Sequence, residues 1–87
     1  MSRQRSMDKI LASEFVSIGE LVRLTGSRYS TLKFYTEEGM LPFEQEEENR
    51  TRRFPREKAI SRINDIKDLK KQGFSIPEIK ERVTNKD

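Results

Sequence analysis

The chain contains no cysteine, no histidine and no tryptophan. Without cysteine there is no disulfide to staple a small fold and no thiolate to act as a nucleophile. With histidine missing too, thiolate or imidazole ligation of a metal is excluded, and so is the commonest general base. No nucleophile–base constellation can be assembled from what remains, so no catalytic residue, no metal site and no cofactor is expected: the protein is not read as an enzyme. No stretch approaches the roughly 18 apolar residues that a membrane-spanning helix requires. The opening MSRQRSMDKILASEF is basic at its start but has no apolar centre of the length a secretory signal needs. The expectation is a cytoplasmic protein with no membrane partner. Proline and glycine are scarce, at 3 and 4 residues, and those present act as punctuation.

What the chain has is charge. Of its 87 residues 38% are charged and 32% apolar. That is one small domain near the lower limit at which a single core suffices. The net charge is +3, from 18 basic and 15 acidic residues, too small an excess to identify an anionic partner. Distribution says more than the sum. Arg50, Arg52, Arg53 and Arg56 cluster directly after Glu44, Glu46, Glu47 and Glu48.

Residues 1–14 read as a polar lead-in, flexible or partly helical. Met7, Ile10 and Leu11 form a single apolar turn that either packs against a second copy or stays disordered. At SIGE, residues 17–20, the spacing predicts a capping box, with serine and glutamate each satisfying the other's backbone amide. Ile18, Leu21, Val22 and Leu24 then make the stripe of a helix over 17–25, and Gly26 is placed to end it in a left-handed conformation. A second helix, about 28–38, follows almost at once and stops at Gly39. Leu32 and Tyr35 suit its inner face, with Tyr29 extending the same stripe. Two short helices across a glycine-containing turn are a helix-turn-helix pattern.

Pro42 forbids further helix, and residues 43–54 carry no helical stripe. Asn49 within a charged run, followed by RTRRF, predicts a small two-stranded hairpin too polar to build a core: a wing. A third helix begins near Pro55 or Arg56, with Ala59, Ile60, Ile63, Ile66 and Leu69 on its apolar face and Gly73 at its end. SIPE, residues 75–78, is a second capping box, opening a last helix striped by Ile76, Ile79 and Val83. The expected fold is mainly α with a small β-hairpin: a winged helix-turn-helix of four helices over 15–83, with 84–87 as a tail.

SIGELVRLTG followed by TLKFYTEEGMLP closely resembles the opening of the MerR-family DNA-binding domain, whose second helix carries a T-L-R-Y-Y-E-like run, then a glycine and an L-L-P-like exit. RTRRF is similar to that family's wing, and LKKQGFSIPEIKERV to its following helix pair. The chain also departs from the pattern. Ser30 stands where arginine is frequent, Lys33 replaces an arginine, and Phe34 replaces a tyrosine, removing a hydroxyl. Arg50 and Thr51 stand where the wing often has glycine, a form closest to the nitrogen-regulator branch. Family members continue into a dimerisation helix and an effector region. A chain ending at 87 is expected to be either an isolated domain or a stand-alone, excisionase-like relative.

The resemblance implies sequence-specific binding of double-stranded DNA, probed by Ser17, Arg28, Tyr29, Ser30, Thr31, Lys33, Phe34, Arg50, Arg52 and Arg53. In such a fold the second helix enters the major groove and reads base edges from its first turn. Arg28 can hold guanine through two parallel bonds, or it is a solvated surface residue. Tyr29 is either core or DNA contact, and Lys33 suits a phosphate. On a strand Arg50 and Arg52 share a face and Arg53 points away. These arginines either meet the flanking backbone or minor groove, or merely neutralise the neighbouring glutamates. A homodimer on an inverted repeat is expected, since a two-fold protein asks for a two-fold site. An architectural role in recombination and a protein-docking module are the rival readings.

Overall fold

A computed structural model describes residues 6–45 and 52–84. Its elements are α1 (Met7–Ala12), β1 (Phe15–Val16), α2 (Ile18–Thr25), α3 (Tyr29–Glu37), β2 (Phe54–Pro55), α4 (Arg56–Lys71) and α5 (Ile76–Thr84). Both capping boxes form. The Glu20 amide donates to Ser17 Oγ at 3.1 Å while the Ser17 amide donates to Glu20 Oε1 at 2.9 Å. At α5 the Ser75 amide donates to Glu78 Oε1 at 3.0 Å, and the Glu78 amide donates to Ser75 Oγ at 3.4 Å.

Gly26 ends α2 at φ 72°, where a side chain would meet the carbonyl oxygen, and its amide donates to the Val22 carbonyl oxygen. Thr25 tightens the same turn: its hydroxyl donates to the Leu21 carbonyl oxygen at 2.7 Å and accepts from the Ser27 amide at 3.2 Å. The Gly26–Arg28 link is therefore short and held at both ends, and α2 and α3 pack as a helix-turn-helix.

The core is one cluster. Leu21 of α2, Leu32 and Tyr35 of α3, Met40 and Leu41 after it, Phe54 of β2, Ala59, Ile63 and Ile66 of α4, and Ile79 and Val83 of α5 are all buried. Thr36 is buried among them, its hydroxyl donating to the Leu32 carbonyl oxygen. The members from α2, α3, α4 and α5 belong to the stripes that helical periodicity predicts, while Ile18, Val22, Leu24, Ile60, Leu69 and Ile76 of those stripes pack against the cluster only partly buried.

Three points differ from the sequence reading. A fifth helix, α1, precedes the expected four, capped by Ser6, and Ile10 is fully buried in the core. Ile10 is thus a core residue of this chain, although Met7 and Leu11 on the same turn remain exposed. Second, the continuous ladder does not lie between the two limbs of the wing. It pairs β1 with β2, antiparallel, with Val16 opposite Phe54 and Phe15 opposite Pro55. The wing's own pairing, among the described residues, is the bridge between Glu44 and Arg53, which exchange both backbone bonds at 2.7 and 2.9 Å. The returning limb is bonded on both edges because its buried Phe54 must seat in the core, and Val16 is the buried neighbour available. Third, Tyr29 is 54% exposed rather than core. Its direction is that of the inner stripe, but it opens α3, and Arg28, Tyr29 and Ser30 are all exposed, so the first turn projects beyond the packed body. The acidic run Glu46–Glu48, Asn49 and Arg50 lie outside the described residues.

Candidate nucleic-acid interface

Leu32, Tyr35 and Thr36 anchor α3, which turns its opposite side to solvent. Ser30, Lys33, Phe34 and Glu37 are exposed and follow an i, i+3, i+4, i+7 row, one strip of helix surface. Arg28 and Tyr29 extend this exposed surface at the N-terminal end, and Thr31 is half-buried on its flank.

That end of α3 is chemically unlike the other helix starts. Arg28 is the N-cap, extended at φ −73° and ψ 145°, and its side chain makes no capping bond. The first turn of α3 holds no acidic residue, whereas those of α1, α2, α4 and α5 hold Asp8, Glu20, Glu57 and Glu78. The amide hydrogens of a helix's first turn have no partners within the helix, and together with the dipole they favour an anion. At α3 no carboxylate competes for them from within the turn.

A residue that sequence reasoning missed adds to the charge there. Lys67 of α4 donates from Nζ to the Thr25 carbonyl oxygen at 3.1 Å, setting an exposed ammonium beside the turn between α2 and α3. The pair is separated by 42 positions, and no local pattern could have announced it. At the far end of α3, Arg62 donates to the Met40 carbonyl oxygen and Lys80 pairs with Glu38.

In the wing, Arg52 and Arg53 lie over different rings. The Arg52 guanidinium carbon is 4.9 Å from the centroid of Phe43, and that of Arg53 is 5.3 Å from the centroid of Phe15. Opposite sides are what consecutive residues of an extended strand adopt. Stacking on an aromatic face restrains a guanidinium while leaving its N–H edge directed outward, an arrangement worth about 0.5–1 kcal/mol at an exposed site. Phe43 in turn rests near the buried Phe54, ring centroids 6.1 Å apart, so Arg52 is tied to the core through two rings. Arg50, its expected companion, lies outside the described residues.

Ser17 is half-buried and belongs to the capping box, which engages its amide and its hydroxyl oxygen. It therefore stands at the start of α2, apart from the α3 row. Among the described residues no group of three or more acidic, cysteine or histidine side chains is placed to hold a metal ion. No helix among them is long and apolar enough to cross a membrane.

A family model described as MerR HTH family regulatory protein matches residues 16–86. No curated protein and no solved structure matches the chain.

Proposed function

Because the chain belongs to the MerR HTH family, a DNA-binding, non-enzymatic family of regulatory proteins, we propose that it binds double-stranded DNA sequence-specifically as the reading unit of a transcriptional regulator. In this reading α3 lies in the major groove. Arg28, Ser30 and Thr31 meet base edges from its first turn, with Arg28 pairing to guanine. Lys33 and Lys67 face phosphates, and the first-turn amides of α3 donate to another. Arg52 and Arg53, with Arg50, meet the flanking backbone or minor groove. Two copies on an inverted repeat would satisfy the symmetry of a dimeric regulator.

One observation carries the reading: the outer surface of α3 is exposed, cationic at its start and free of acid in its first turn, while its inner side is pinned by Leu32 and Tyr35. The start of α4 likewise has no side-chain cap, but its first turn holds Glu57; among the described helices α3 alone opens with neither a side-chain cap nor an acidic residue.

Selection of bound duplexes from a random-sequence library gives the site, its symmetry and the half-site spacing together. The expected result is an enriched motif whose affinity falls linearly in log salt, each neutralised phosphate contributing roughly 0.9 to the slope. Recovery of no motif, with no binding to any duplex at low ionic strength, would contradict the proposal and favour a protein-docking role.

A further inference from the structure

The geometry points to Phe34 as the reader of a pyrimidine 5-methyl group, thymine in the first instance, in the major groove. The inference rests on the DNA reading above and assigns one residue of that surface a specific ligand.

Phe34 is 42% exposed, yet its side chain has no polar atom. Its neighbours along the strip are Ser30 one turn before, Lys33 beside it and Glu37 almost one turn after, all exposed. On the inner side its ring meets that of Tyr35, centroids 6.1 Å apart and planes tilted by 58°. Tyr35 is only 4% exposed, so the phenyl ring is propped against a fixed partner and offers its remaining surface outward.

A hydrocarbon ring within a polar row, with Lys33 and the basic start of α3 on one side and Glu37 on the other, asks for a ligand that is anionic beside that basic end and apolar at one spot. The major groove has that character: phosphates line it, and the thymine 5-methyl is its apolar feature. Phe34 has no donor for a phosphate and no acceptor for a base amino group, which leaves packing on the methyl. The two other exposed aromatics nearby are less suited. Tyr29 carries a hydroxyl that can bond, and the Phe43 ring already faces the Arg52 guanidinium. Register is consistent as well. Residues one helical turn apart place their Cβ atoms about 5–6 Å apart, and base pairs step by about 3.4 Å. The methyl read by Phe34 therefore lies one to two base pairs from the base that Ser30 faces.

The test uses the duplex recovered by selection. Exchanging thymine for uracil, one position at a time, removes the methyl and leaves every hydrogen-bonding atom in place. Burial of one such carbon is worth a factor of about fourfold in affinity. The expected result is a loss of that size at one A·T position under α3 and at no other. Phe34→Ala should bind the thymine duplex more weakly and be indifferent to the exchange. Exchanging cytosine for 5-methylcytosine in turn separates the two sources of the group. Tightening at one cytosine, absent in Phe34→Ala and without any uracil effect, would assign the methyl to modified cytosine. Indifference of the unaltered protein to every exchange overturns the inference while DNA binding stands, and leaves the ring to a protein partner. An undiminished uracil penalty in Phe34→Ala overturns it equally. If no duplex is recovered at all, the DNA reading has failed and this one falls with it, an outcome distinct from the others. The uracil exchange needs no altered protein, so a folding defect in the variant could not obscure the result.

Discussion

Arg62 of α4 donates from its guanidinium to the carbonyl oxygen of Met40 at 3.0 Å, fixing the chain where it leaves α3. Met40 is fully buried, so its carbonyl lies at the edge of the core. An unmet acceptor there costs about 1–3 kcal/mol. Arg62→Met, which retains the apolar stem, should lower stability by about that amount, read as a lower urea midpoint at an unchanged slope. By contrast, the nearby Lys80–Glu38 pair, at 3.4 Å, is close to half exposed on both sides. Lys80→Ala should change stability by no more than about 1 kcal/mol.

Gly26→Ala tests the turn between α2 and α3. Beyond its adjacent residues a methyl group added there would meet nothing within 4 Å, so tertiary crowding is not at issue; the strain is local, from φ 72°. The expected loss is about 1–2 kcal/mol. A larger loss, or a changed denaturant slope, would show that the turn does more than permit a left-handed residue.

The Glu78 carboxyl is held below the ordinary glutamate range, first by the Ser75 amide, then by the Ser75 hydroxyl. Both bonds favour the ionised form. The sign follows from the depressed folded-state pKa: the stabilisation is complete above the unfolded-state value and disappears as pH falls through the folded-state value. Ser75→Ala should raise the Glu78 pKa toward normal in a carboxyl-carbon NMR titration and weaken the acid dependence of α5. A Glu78 titration unmoved by that change would refute the capping assignment.

Arg28→Ala and Arg52→Ala should fail differently on DNA. Loss of Arg28 should cost about 1–3 kcal/mol at one base position and relax selection there. Loss of Arg52 should weaken all sequences alike and flatten the salt slope by about one unit. Equal losses on every sequence for both variants would defeat the division between base reading and backbone contact.

Much of this fold was legible because it is written in local chemistry. The two S-x-x-E boxes, Gly26, Gly39 and Gly73, and the apolar stripes of α2, α4 and α5 each act within a turn or two of themselves. What was not legible depends on distance in sequence. Phe15 and Val16 are an aromatic and β-branched pair just before a capping box, a signal too short to declare a strand until its partner at Phe54 is known. Lys67 and Arg62 look like ordinary exposed-face residues of α4 until the carbonyls they reach are seen. Ile10 shares its apolar turn with Met7 and Leu11, and nothing local tells which of the three is enclosed; only tertiary contact shows Ile10 buried and the other two exposed. On α3 the inner face followed from Leu32 and Tyr35, but Tyr29 shows that a stripe's direction does not tell how far the core extends beneath it.

The matched family region begins at residue 16, whereas the hydrogen bonds that close the body start earlier. The Arg56 amide donates to the Glu14 carbonyl oxygen, and its Nε donates to that of Ser13, each at 2.9 Å. Anyone transplanting this helix-turn-helix onto another protein by cutting at the matched boundary would discard Ile10, unhook the first turn of α4 and halve the β ladder. A transplanted unit would need to include α1, whose N-cap is Ser6.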